Sequence, residues 1–206
     1  QKIVTEGYEI EAFVEEFLSV QDDADKYSFQ PVFKTETGLF AKADCTRDND
    51  DGTINIYEVK SSTSVQRRSP QNQIKDAAFQ QIVAEEAGLK VKSIFIVHLN
   101  GEYAREGVIS TQDLLTFLDV TVEVAELIAE TREQIDTALS LLGELAIEES
   151  SCSCLELSKS NHCDAFDYFN PAIPKSSIYN LPRISKAKLR NFVSEGRFDL
   201  DEIALH

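Results

Sequence analysis

Gly38-Leu39-Phe40-Ala41-Lys42-Ala43-Asp44-Cys45-Thr46 and Thr53-Ile54-Asn55-Ile56-Tyr57-Glu58-Val59-Lys60 flank the run Arg47-Asp48-Asn49-Asp50-Asp51-Gly52. In the first stretch Leu39, Ala41, Ala43 and Cys45 alternate with Phe40, Lys42 and Asp44, the period of two expected of a β-strand. The Asn, Asp and Gly residues of the run between accept the dihedral angles of a tight turn. The second stretch then reads as a returning strand, and the pair as a β-hairpin. Residues two apart on a strand point the same way, so Glu58 and Lys60 share a face with Val59 between them. A hairpin brings Asp44, late on its own strand, beside them.

Upstream, Ile10, Phe13, Val14, Phe17 and Leu18 form a helical stripe within Ile3 to Leu18. The polar segment Gln21 to Lys26 separates it from a strand over Tyr27 to Lys34. Downstream, Ser61 to Ser69 is a polar loop. Ser69 as N-cap and Pro70 as first helical residue predict a helix to about Ala87, stopped by Gly88. Lys92 to Leu99 is a near-continuous apolar strand, the mark of burial on both faces. Gly101 to Gly107 reads as a loop and Ser110 to Phe117 as a short helix or turn. Thr121 to Leu145 reads as an amphipathic helix with Ile128, Ile135, Ala138, Leu142 and Leu145 on its stripe. Ser150 to Asn161 is a Cys/Ser-rich loop, Pro171 and Pro174 argue against regular structure, and Ser185 to Arg190 predicts a short last helix. This order of helix, strands, helix and strand is that of an α/β (α+β) domain.

The chain has 206 residues, 42% hydrophobic and 27% charged, an ordinary composition for a folded protein. No run approaches the roughly 20 apolar residues of a membrane span. Five glutamates within the first 16 residues leave no room for the apolar core of a signal peptide. The chain opens on Gln1 and holds no methionine, so it is expected to be a fragment or a processed form. Cys45, Cys152, Cys154 and Cys163 do not resemble a disulfide framework in a chain of this size, and a reducing, cytoplasmic location is expected.

Two carboxylates and a lysine on one sheet face suit phosphodiester hydrolysis. Carboxylates bind a hard cation such as Mg²⁺, which keeps several waters. The metal polarises the phosphate and acidifies water, and a lysine can orient that water or meet the developing charge. The competing reading is an exposed strand face carrying a salt bridge. The net charge of −16 opposes nucleic-acid binding, whose footprint is usually basic. Clustered carboxylates are, however, what a metal site needs, and a bound cation reverses the local sign.

Gly38 to Asp44, Ile56 to Thr63 and Asp76-Ala77-Ala78-Phe79-Gln80 together resemble the RecB-like branch of the PD-(D/E)xK nuclease superfamily. They are also similar to a bacterial family of unknown function in which a RecB-like nuclease region precedes a further domain. The likeness runs from Gly7 to about Ile203, is strongest over Gly38 to Asn100, and includes Tyr179 to Ser185. It implies a restriction-endonuclease-like α-β-β-β-α-β core with a central mixed sheet flanked by helices. That core would occupy residues 1–110, with a helical, Cys-containing extension over 111–206 packing on it. Asp44 and Glu58 would be metal ligands with the Val59 carbonyl, Lys60 the catalytic lysine, and Gln80 a contact to lysine, water or phosphate. Gly7-x-x-x-Glu11 is similar to a pattern whose last position binds metal, making Glu11 a further ligand. Ala84 stands where a tyrosine often follows the glutamine.

The resemblance also implies an iron–sulfur remnant at Cys152, Cys154 and Cys163; another cysteine expected near Phe169 is missing. Ordinary thiols, or a zinc site adding His162, are the alternatives. His98 reads as a core or edge histidine. Arg67, Arg68, Lys75, Lys186, Lys188 and Arg190 are the available phosphate contacts. The expected function is a Mg²⁺- or Mn²⁺-dependent nuclease acting on nucleic acid, DNA first, in company with a downstream domain and away from any membrane. The alternative is a catalytically weak binding or scaffolding module of a larger protein.

Overall fold

The computed structural model describes residues 2–68, 71–143, 152 and 154–203. They fall into two compact units, Gln1–Leu141 and Leu142–His206.

The first unit is a mixed α/β domain. Its elements are α1 (Lys2–Ser19), β1 (Tyr27–Phe29), β2 (Val32–Lys34), β3 (Phe40–Lys42), β4 (Cys45–Asp48), β5 (Ile54–Lys60), α2 (Gln73–Glu86), β6 (Val91–Leu99), α3 (Thr111–Leu114), β7 (Leu115–Asp119) and α4 (Thr121–Gly143), whose last two residues pass into the second unit. Five strands make one sheet in the order β1-β4-β5-β6-β7, with β2 and β3 paired apart as a ribbon. The β5–β6 pair is parallel and its neighbours are antiparallel. Helices cover both faces, as the apolar strands β5 and β6 require. Ile10, Val14 and Leu18 of α1 pack with Tyr57, Val97 and Val59 on one face. Ile74, Ala77 and Ala78 of α2 and Val124 of α4 pack with Ile54, Ile56, Ile94 and Ile96 on the other. Even-numbered β5 residues therefore turn toward α2, and Glu58 and Lys60 continue the row begun by Ile54 and Ile56.

Two expected strands are broken. Tyr27 to Lys34 divides at Gln30-Pro31, where Gln30 takes a φ of 52° and the proline offers no N–H to a ladder. Gly38 to Thr46 divides at Ala43 and Asp44, so Asp44 sits between strands instead of late on one. The β4–β5 hairpin forms as expected, but Arg47 and Asp48 pair with Asn55 and Ile54, which confines the reversal to Asn49–Thr53. Asp50 and Gly52 supply its left-handed positions at φ 59° and 77°. Ser110 caps a single turn of helix, after which Leu115–Asp119 becomes an edge strand on β6. The capping signal at Ser110 and Asp113 hid that strand. With β7 in the sheet and α4 on its face, residues 111–141 belong to the first unit, and the division falls at Leu141/Leu142 instead of 110/111.

Asn72 caps α2, its side chain accepting from the Lys75 N–H at 3.2 Å, and Gly88 at φ 94° ends it. The expected start at Ser69-Pro70 lies outside the described residues, as does Leu145. The expected α4 stripe packs only in its first half: Val124 and Thr131 are buried, while Leu142 is 82% exposed. Ile135 and Ala138 instead line a cavity of about 590 Å³ with Phe79.

The second unit is built of short elements: α5 (Phe166–Phe169), α6 (Lys186–Ser194) and α7 (Leu200–Ile203), with 3₁₀ turns at Lys159–Asn161 and Ile178–Asn180. Ser185 caps α6, which runs past the expected end at Arg190. Phe166, Ile178, Tyr179 and Leu189 form its core. Among the described residues no helix is long and apolar enough to cross a membrane.

Candidate active site

The break between β3 and β4 makes the site. Asp44 is released from strand pairing, and its backbone is tied instead to the neighbouring loop. Its carbonyl accepts from the Gln30 N–H at 2.9 Å, and the Ala43 N–H donates to the Pro31 carbonyl at 3.1 Å. The Asp44 carboxylate then occupies the place a strand partner would take, accepting the Val59 N–H at 2.7 Å. The N–H and C=O of one strand residue face the same edge, so the Val59 carbonyl lies on the Asp44 side as well. Glu11 of α1 is drawn in by Gln30, whose Nε2 donates to Glu11 Oε2 at 3.2 Å. Glu11, Glu15, Gln30, Asp44 and Val59 line a cavity of about 160 Å³.

On the α2 side, Glu58 is only 6% exposed and fully engaged. Lys60 Nζ donates to Glu58 Oε1 at 2.6 Å and to Asp76 Oδ2 at 2.8 Å. Gln80 Nε2 donates to Glu58 Oε2, while the buried Gln80 Oε1 has no partner among the described residues. Lys60 and Asp76 border a second cavity of about 440 Å³ with Gln71, Asn72 and Gln73. The sequence-predicted residues thus gather at one end of β5 in two subsets, Glu11–Asp44–Val59 and Glu58–Lys60–Gln80.

The charges are unbalanced. Burial, the nearby Glu58 and then Glu11 push the Asp44 carboxyl up to about 7, although the Val59 N–H and Lys60 favour the anion. Burial also raises Glu58, against the pull of Lys60. For Lys60 burial acts downward, but the Glu58 and Asp76 carboxylates outweigh it and the net shift is upward. In this arrangement the two carboxylates favour the ammonium form of Lys60. Among the described residues Lys60 is the cation beside Asp44, Glu58, Glu11 and Asp76, and its contacts with Glu58 and Asp76 are on the α2 side. That deficit fits a divalent cation at Asp44. Among the described residues no three His, Cys, Asp or Glu side chains form a ready-made cage. Mg²⁺ needs none, being held through one or two carboxylates while keeping waters and substrate oxygens.

Asp76 carries no role in the sequence reading, yet it is the second partner of Lys60. Its signal was its place one helical turn before Gln80, on the same face of α2. Gln30 gave no signal beyond the proline after it. His98 is a half-buried strand residue whose Nδ1 lies 2.9 Å from the Leu99 carbonyl oxygen. Arg67 pairs with Glu123 and Lys75 with Glu130, so these two cations are spent within the first unit.

The cysteines are free thiols. Cys152 and Cys154 pack against the core of the second unit, and Cys163 is exposed. Cys45 is buried beneath α1, where burial and then Asp44 push its thiol up to about 12.

No protein-family model matches the chain, and no curated protein matches it.

Proposed function

We propose that the chain is a divalent-metal-dependent nuclease hydrolysing phosphodiester bonds of nucleic acid, with DNA the first substrate to test. One observation carries the reading: the Asp44 carboxylate is fixed on the Val59 N–H, at the end of the strand that presents Glu58 and Lys60. Mg²⁺ or Mn²⁺ held by Asp44, the Val59 carbonyl and Glu58, with Glu11 close by, would supply Lewis-acid polarisation of the phosphate and acidification of water.

The chain's own residues supply the rest. Asp44 competes for protons near pH 7, so its ligating form fills in as pH rises through that value. Gln80 holds the Glu58 carboxylate by one oxygen and Lys60 holds it by the other, which fixes its rotamer. Lys60, as an ammonium, faces the charge that grows on phosphate as the water oxygen bonds to phosphorus and the ester P–O bond breaks. It can donate a hydrogen bond to a phosphate oxygen, while the proton of the attacking water passes to solvent and the departing oxygen takes one from solvent. The free thiols at all four cysteines suit a reducing compartment such as the cytoplasm. A second reading, a binding or scaffolding module, is favoured by the clamp of Glu58 and Asp76 on Lys60, which engages the cation of the site.

Cleavage of labelled single- and double-stranded DNA and RNA with Mg²⁺ or Mn²⁺, beside Lys60→Ala, separates the two. Metal-dependent cleavage that falls on the order of 10²–10³-fold in the variant is expected. Folded parent protein that cuts no substrate with either metal sinks the nuclease reading in favour of the module.

A further inference from the structure

The acidity of the protein is not evenly spread. Residues 1–141 hold 13 Lys and Arg against 26 Asp and Glu, a net of −13. Residues 142–206 hold 7 against 10, a net of −3. All seven cations of that second unit lie between Lys159 and Arg197, where only Asp164, Asp167 and Glu195 oppose them, so this stretch carries a net of +4. A positive segment inside a chain of net −16 is the electrostatic footprint that the first unit lacks.

The segment also has a concave place to put a ligand. A cavity of about 570 Å³ opens beside the Lys159–Asn161 turn, within the size range of ligand sites. Lys159 and Lys175 stand on its lining, and neither has an ion-pair partner among the described residues. Of the other five cations, Arg190 is paired with Glu156 at 2.9 Å and Arg197 with Glu195 at 3.4 Å, while Arg183, Lys186 and Lys188 stand off the cavity lining. His162 and Phe166 form the cavity's aromatic wall, stacked with centroids 3.6 Å apart and an interplanar angle of 16°. The stack is braced by Tyr179, edge-on to both rings. The His162 Nε2 lies 2.9 Å from the Leu157 carbonyl oxygen, which fixes the ring's orientation. Asn170 and Asn180 add amide groups to the lining, and Asp167 its one acidic side chain against the two lysines.

We infer that this cavity is a binding site for single-stranded nucleic acid, with Lys159 and Lys175 contacting backbone phosphates and the half-buried His162 ring, backed by the buried Phe166, receiving a base. Free lysines beside an aromatic surface are the combination that holds a strand without reading its sequence: cations track the phosphates, and ring faces accept any base. A base can stack on a ring inside such a cavity only when it is unpaired, which favours a single strand over a duplex. The site is separate in sequence and composition from Asp44, Glu58 and Lys60, and binding there needs neither metal nor cleavage.

Fluorescence anisotropy of the full 206-residue chain with labelled single-stranded oligonucleotides in EDTA tests it. Binding is expected to weaken as salt rises. The double variant Lys159→Ala/Lys175→Ala should bind roughly tenfold more weakly near physiological salt, with a log–log salt slope reduced by about 1.4. Both lysines are exposed, so thermal unfolding of that variant should match the parent's. His162→Ala should weaken binding without changing the salt slope. A double variant that binds like the parent overturns the assignment. So does a duplex, or polyglutamate of equal charge, that binds as well as the single strand. The arms keep the two readings apart: a parent that binds but does not cut loses only the nuclease, and a parent that cuts while its lysine variant binds undiminished loses only this site.

Discussion

The two units of this chain solve different problems with different materials. The first spends most of its sequence on a sheet covered on both faces, and that sheet aims Glu58 and Lys60 by the parity of a strand. The second has short helices and 3₁₀ turns around a small buried core of Phe166, Ile178, Tyr179 and Leu189, and its cations are gathered in one stretch, Lys159 to Arg197. Under the proposed readings, regular structure holds reacting groups to fractions of an ångström, and irregular structure has only to retain a flexible, negatively charged polymer.

The contrast breaks first if the units do not fold separately. Ile56 in the sheet is fully buried and Leu189 in the second unit is 1% exposed. Replacing either by alanine should cost about 2–5 kcal/mol. Ile56→Ala is expected to lower only the transition of the first unit in differential scanning calorimetry, and Leu189→Ala only that of the second. A single transition shifted by both variants would mean one cooperative body.

A smaller effect sharpens the electrostatic side. The Asp44 carboxyl rises from 3.8 to about 7 on folding, so the folded state holds that proton more tightly than the unfolded chain. Ionising it costs stability: the cost is absent below about pH 4, grows between the two values and is complete above about pH 7. Asp44→Asn, which keeps an oxygen for the Val59 N–H, should therefore stabilise the metal-free protein by roughly 1–3 kcal/mol at pH 8.5 and leave it unchanged at pH 3.5. Mg²⁺ should raise the melting temperature of the parent at pH 8.5 and not that of the variant. An unchanged variant at alkaline pH would show that Asp44 is not under charge strain.

The smallest effect concerns Asp76, whose side chain is half exposed. Asp76→Asn removes one of the two carboxylates on Lys60 and should alter cleavage only severalfold, with unfolding shifted by less than about 1 kcal/mol. If Asp76 restrains Lys60, the variant cuts faster; if it positions Lys60, the variant cuts more slowly. A loss as large as that of Lys60→Ala would give Asp76 a direct part in the chemistry.

Much of the first unit was legible because its signals are local. The returning strand over Thr53–Lys60, the Asp/Asn/Gly turn and the apolar run of Lys92–Leu99 each report on a few neighbouring residues, and each element forms close to its expected position. The parity of Glu58 and Lys60 followed from strand geometry alone. The breaks at Gln30 and at Ala43–Asp44 were not legible, because each depends on the other: the Gln30 N–H is satisfied by Asp44, and the Pro31 carbonyl by Ala43. Alternation through Gly38 to Thr46 continues smoothly across the point where the backbone leaves the sheet. Asp76 was missed for a related reason, since a salt bridge between a helix and a strand end leaves no periodic trace. In the second unit the cysteines drew attention by their chemistry, whereas the charge segregation was plain in the sequence once the unit's limits were known.

The odd–even rule of β5 has a consequence for how such a chain can change. Odd positions belong to α1 and even positions to α2, so the strand works as a one-bit address for every side chain on it. An inserted or deleted residue in the Asn49–Thr53 reversal can be absorbed by the loop, and the address survives. The same event inside Ile54–Lys60 flips every downstream position at once, sending two charges into the apolar packing under α1 and two hydrophobic residues to the acidic pocket. Loss of fold and loss of chemistry would then arrive together, so this segment should tolerate substitutions one at a time and length changes hardly at all.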